Sequence, residues 1–80
     1  MKPIAYTATA TKQRRKLPAD VRDRLAAKLA AYAETGAGDV KALVGRPGAR
    51  LRVGDWRIIF VESNEQILVV AVGHRRDIYG

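Results

Sequence analysis

The chain has 80 residues and no cysteine, with 15 Lys and Arg against 8 Asp and Glu and a formal charge of +7. That length fits one small domain, residues 1–80, with no disulfide and no thiolate metal site to reinforce it. The positive balance favours a polyanionic partner, and no apolar run approaches the roughly 20 residues that a membrane helix needs.

Met1-Lys2-Pro3 leads into no apolar stretch of the kind that follows a secretory start, so a cytoplasmic protein with no membrane partner is expected. Lys2 to Ala8 is read as a first strand, with Ile4 and Tyr6 on one face. The threonines at 7, 9 and 11 are β-favouring residues that also cap helices. A first helix is expected from Thr9 or Thr11 to about Lys16. Lys12, Arg14, Arg15 and Lys16 make its surface densely positive, either as a solvated face or as a contact for a nucleic-acid backbone or an acidic partner. Pro18 suits the first turn of a second helix, where its missing N–H is no loss. Val21, Leu25, Leu29 and Tyr32 recur at helical spacing and form a core stripe, and Gly36 is a suitable stop. Residues 37–48 hold three glycines and Pro47 and are read as a connector, with Val40, Leu43 and Val44 tucked onto the domain.

Arg50-Leu51-Arg52-Val53 alternates charged and apolar residues, the pattern of a half-exposed strand. Gly54-Asp55 supplies a tight reversal, and Trp56 to Val61 is β-branched and aromatic. A two-residue loop sets Val53 opposite Trp56, Arg52 opposite Arg57, Leu51 opposite Ile58 and Arg50 opposite Ile59. Arg50, Arg52 and Arg57 then leave the sheet on one side, with Trp56 on the other, packed in the core. Like charges directly opposite each other destabilise a hairpin by up to about 1 kcal/mol. An anion between them would relieve that cost, and a phosphate matches the guanidinium fork. The alternative is a solvated strand whose arginines splay apart.

After a turn at 62–65, Gln66 to Gly73 forms a nearly all-apolar strand suited to the interior of the sheet. A three-residue turn would set Arg57 opposite Ala71 and put Arg75 on the arginine side. A two- or four-residue turn would put His74 there, and the three-residue case is the expectation. Asp77 is read as a partner for Arg75 or Arg76. The order β-α-α-β-β-β gives an α+β domain, two N-terminal helices on one face of a small, largely antiparallel sheet.

Three features together resemble the RelE/ParE superfamily of toxins from type II toxin–antitoxin systems. They are the basic helix pair with its glycine-containing connector, the stretch RLRVGDWRIIF at 50–60, and the ending VGHRRDIY at 72–79. The resemblance covers essentially the whole chain and favours the RelE-like branch. It implies a cognate antitoxin as partner and cleavage of mRNA in the ribosomal A site. By position it gives catalytic roles to Arg52, Arg57, Arg75 and Tyr79, with His74 in the same cluster. Arg50, Arg76, Lys12 and Arg15 are the further candidates for RNA contact. The alternatives are a ParE-like poison of DNA gyrase and a catalytically silent module that only docks an antitoxin.

RNA brings its own nucleophile, the 2′-OH. Attack on the adjacent phosphate needs orientation, a proton acceptor, charge neutralisation and a proton for the leaving oxygen. The arginines can supply the charge but not the base. The acceptor is His74, Tyr79 or a group outside the chain, and Tyr79 could instead stack a flipped base. No Asp, Glu or His cluster has metal-ligand spacing, so no cofactor or metal is expected.

Overall fold

The computed structural model describes residues 2–78, so Tyr79 lies outside the described residues. Its elements run β1 (Ile4–Tyr6), α1 (Ala8–Arg15), α2 (Ala19–Thr35), β2 (Asp39–Ala42), β3 (Ala49–Val53), β4 (Trp56–Glu62), β5 (Ile67–His74) and α3 (Arg75–Ile78). The strands form one sheet in the order β1-β5-β4-β3-β2, antiparallel except where β1 lies parallel to β5. The α+β architecture is the expected one, with one strand more than expected.

That strand is β2, inside the stretch read as a connector. Asp39-Val40-Lys41-Ala42 has period-2 alternation, and Val40 lies opposite Leu51 and packs against the core. The glycines that bracket β2 made the segment look like a loop. Val44 does not tuck in; it is 99% exposed.

The first helix also starts earlier than expected. Thr7 is its N-cap, the hydroxyl accepting from the Ala10 amide at 3.1 Å. The strand before it is therefore only Ile4–Tyr6. Pro18 is the N-cap of α2 rather than its first residue, and Gly36 ends that helix in the left-handed region, φ 78°.

Where β1 stops, α1 takes over the edge of β5. The Thr7 amide donates to the Val69 carbonyl at 3.0 Å, and the Val72 amide donates to Gln13 Oε1 at 2.9 Å. A backbone amide and a glutamine side chain thus satisfy groups that would otherwise lie unpaired along the β5 edge.

Both helices cover one face of the sheet. Ala10, Val21, Leu25 and Leu29 pack on Leu51, Val53, Ile58, Phe60, Ile67, Val69 and Val72. Tyr32 and Trp56 border this core, Tyr32 with its ring 5.2 Å from that of Phe60. Burying such side chains contributes about 1.5–3 kcal/mol each. At the rim the Tyr32 hydroxyl donates to Glu62 Oε1 at 2.6 Å, and Lys2 Nζ lies 2.7 Å from Oε2. The Lys2 and Tyr32 hydrogen bonds hold the Glu62 carboxyl below its usual range, while the bond to Glu62 pushes the Tyr32 phenol up. No helix among the described residues is long and apolar enough to cross a membrane.

Candidate nucleic-acid interface

The β3–β4 hairpin has the register expected from its two-residue loop: Val53 opposite Trp56, Arg52 opposite Arg57, Leu51 opposite Ile58 and Arg50 opposite Ile59. Gly54 takes φ 61°, the conformation its turn position calls for. Since Leu51, Val53, Ile58 and Phe60 face the helices, the alternate residues Arg50, Arg52 and Arg57 project from the open face. β2 adds Lys41 opposite Arg50 and Asp39 opposite Arg52 on that same face.

The arginines do not share one anion site in this structure. Arg52 Nε lies 2.6 Å from Asp39 Oδ2, in a pair about half exposed on both sides. Arg57 folds toward the turn, its Nη1 donating to the Gly54 carbonyl at 2.8 Å and the Trp56 carbonyl at 3.0 Å. The two like charges that face each other in the ladder are therefore relieved by separate partners. Arg57 is 8% exposed, and its Nε is buried with no hydrogen-bond partner. Arg50 is half-buried and lines a shallow cleft of about 420 Å³ with Lys41 and Arg46.

The β4–β5 register differs from the expectation. The turn has four residues, with Glu62 opposite Ile67, Val61 opposite Leu68 and Phe60 opposite Val69. A bulge between Ile59 and Phe60 then shifts the pairing by one. Beyond it, Arg57 lies opposite Gly73, not Ala71, and Trp56 lies opposite His74. The long turn alone would have put His74 on the arginine side, and the bulge reverses that outcome.

His74 therefore shares the side of Trp56, their rings edge-on with centroids 5.3 Å apart. Its Nδ1 accepts from the Arg76 amide at 3.2 Å. A neutral ring that accepts at Nδ1 carries its proton on Nε2 and is a donor there. His74 does not join the open-face arginines.

Arg75 begins α3 directly after the β4–β5 ladder. Its amide donates to the Asp55 carbonyl at 2.8 Å, and its Nε lies 3.7 Å from Asp55 Oδ1. The partner is Asp55, from the hairpin turn, and not Asp77. Arg76 is exposed on α3. Lys12 and Arg15 are exposed on α1, in the helix layer across the sheet from Arg50, Arg52 and Arg57. The neighbouring Arg14 lies over the Tyr6 ring, 5.4 Å from its centroid.

Asp39, Lys41 and Asp55 belong to this surface and were not singled out from the sequence. Asp39 and Lys41 lie in the glycine-bracketed stretch whose strand character depends on β3, and Asp55 carries only a turn signal in the sequence. Among the described residues no group of three or more His, Asp or Glu is arranged to hold a metal ion.

A family model described as the ParE toxin of type II toxin–antitoxin systems, parDE, matches residues 4–79. The chain belongs to this family of toxins. No curated protein sequence matches it. Among solved structures it is similar to the isolated RelE toxin of E. coli, with 24% identity, TM-score 0.79, and coverage of 99% of this chain and 92% of that one. It is also similar to a chain of the RelB–RelE antitoxin–toxin complex of Methanococcus jannaschii, with 24% identity, TM-score 0.77 and 94% coverage of both chains. A third is YafQ of E. coli, with 13% identity, TM-score 0.76 and 100% coverage of both. These likenesses define the fold.

Proposed function

We propose that this toxin is a RelE-like endonuclease that cleaves mRNA on the ribosome through the RNA 2′-OH. The observation that carries this reading is the open sheet face, where Lys41, Arg50, Arg52 and Arg57 are brought to one side by register, with Asp39 paired to Arg52. Exposed ion pairs contribute only about 0–1 kcal/mol, so a phosphodiester can replace Asp39 beside Arg52. Arg57 is held in a resting position with an unsatisfied buried Nε. An arriving anion that draws it off the turn carbonyls gives that donor a partner.

In this mechanism Arg52, Arg57 and Arg75 stabilise the charge that grows on the phosphate oxygens. His74, its Nδ1 engaged by the Arg76 amide, is set beside Trp56 and away from the arginines. The proton acceptor is then Tyr79 or a group outside the chain. Arg50 and Arg76 hold the RNA backbone. Lys12 and Arg15, on the helix layer, contact the surroundings rather than the scissile phosphate.

The toxin's partner in the resting cell is a cognate antitoxin, as in the RelB–RelE and DinJ–YafQ complexes of similar folds. An acidic segment of the antitoxin satisfies the arginines, and the toxin acts in the cytoplasm.

The test is induction in bacteria with mapping of mRNA ends. Cuts at codon boundaries within translated frames are expected, and these disappear in Arg57→Ala and Arg75→Ala. A second reading, inhibition of DNA gyrase, is favoured by the ParE family match and by the placement of His74 away from the arginines. Intact messages together with trapped gyrase cleavage complexes would establish that reading and remove the first.

A further inference from the structure

The carbonyls of a tight hairpin turn ordinarily face water. Here those of Gly54, Asp55 and Trp56 all accept from arginine residues. Arg57 Nη1 takes Gly54 and Trp56, and the Arg75 amide takes Asp55. The β3–β4 turn is thus a bracket that joins β4 to the start of α3.

The Asp55 side chain completes the bracket. Its carboxylate lies 3.7 Å from Arg75 Nε, and Arg75 is also held through its main chain by the same residue. Both side chains are more than half exposed, so the pair adds little to stability. It acts instead on direction. A carboxylate beside Nε restrains the long side chain on one edge and leaves the terminal nitrogens for another anion. Gly73 lies opposite Arg57 at this corner, and a Cβ there would make only ordinary contact with Ile78 of α3, at 3.9 Å. Asp55 also takes no part in the core and caps no helix, so its carboxylate has no other task among the described contacts.

We infer that Asp55 is a positioning residue that aims the Arg75 guanidinium at the scissile phosphate of the RNA. The inference rests on the endonuclease reading for its consequence and on the Asp55–Arg75 geometry for its cause. Loss of the aim lowers turnover and leaves substrate binding nearly unchanged, because Arg50 and Arg76 still hold the backbone.

The experiment uses Asp55→Asn, which keeps a residue suited to the turn and leaves the backbone carbonyl in place. Asp55→Glu, Arg75→Ala and the double variant Asp55→Asn/Arg75→Ala complete the set. Cleavage of a ribosome-programmed message is measured, together with proton exchange at Arg75 Nε by NMR. A misplaced group can cost about 100-fold in turnover, so Asp55→Asn should lose up to about that factor with KM within about twofold. Asp55→Glu should recover most of the loss, and the double variant should be no worse than Arg75→Ala. Arg75 Nε should exchange faster in Asp55→Asn.

Wild-type turnover in Asp55→Asn, or additive losses in the double variant, would overturn the positioning role. If the wild-type toxin cuts no message, the endonuclease reading fails, and the exchange measurement alone decides the role. Faster exchange then supports the positioning of Arg75 by Asp55, and unchanged exchange overturns it.

Discussion

The two faces of the sheet are built from the same strands by alternate residues, yet they are held by different physics. On the covered face Leu51, Ile58, Phe60, Ile67 and Val69 are essentially sealed under α1 and α2. On the open face the same ladder carries Lys41, Arg50, Arg52 and Arg57, and its partners are carboxylates and carbonyls. The covered face contributes stability by removing apolar area from water. The open face contributes little and keeps charge available for a ligand. One charged residue crosses this division, alongside the buried Ile59. Arg57 belongs to the open face by register but is nearly as buried as the core.

Substitutions should separate the faces in a graded way. Phe60→Ala on the covered side should cost about 3–5 kcal/mol in urea unfolding. If it costs less than the open-face changes, the contrast between the faces is broken. Gly48→Ala should be next. Gly48 has φ 110°, and an added Cβ would lie 2.8 Å from the Phe60 carbonyl oxygen. Strain of this kind costs about 1–3 kcal/mol, read as a lower urea midpoint with unchanged slope.

Arg57→Ala tests the residue that crosses the division. It should lower message cleavage by about 100-fold or more. It should also cost about 1–3 kcal/mol, because the hydrogen bonds to the turn are lost. A stability loss without a loss of cleavage would make Arg57 a strut and not part of the site.

At the rim, pH should sharpen the picture. The Glu62 carboxyl is held low, so its contribution is present above its unfolded pKa and is lost as pH falls through the folded one. The Tyr32 phenol is raised, so its contribution is present below its unfolded pKa and is lost as pH rises through the folded one. Wild-type Tm should therefore fall at both acidic and strongly alkaline pH. Glu62→Gln should flatten the acid limb, and Tyr32→Phe should flatten both.

The smallest effect on stability is expected for Arg52→Ala. Its exposed pair with Asp39 should contribute less than about 1 kcal/mol. Binding of single-stranded RNA should nonetheless weaken and become less salt-dependent, as measured by a titration across salt concentrations.

The sequence by itself determined the elements whose geometry is local. A two-residue loop leaves one pairing, so the register from Arg50 to Phe60 and the shared side of the three arginines were legible. The stripe Val21, Leu25, Leu29 and Tyr32 defined α2 in the same way. Tertiary structure decided the rest, because it depended on partners distant in the chain. β2 is a strand because β3 offers it an edge, and β1 is short because α1 takes over the flank of β5. The bulge at Ile59/Phe60 has no local signature, yet it sets which residues of β5 face Arg57 and Trp56. The carboxylates of Asp39 and Asp55 came to the arginines only when strands, turn and α3 were brought together, since an ion pair depends on proximity in space and not on spacing in sequence.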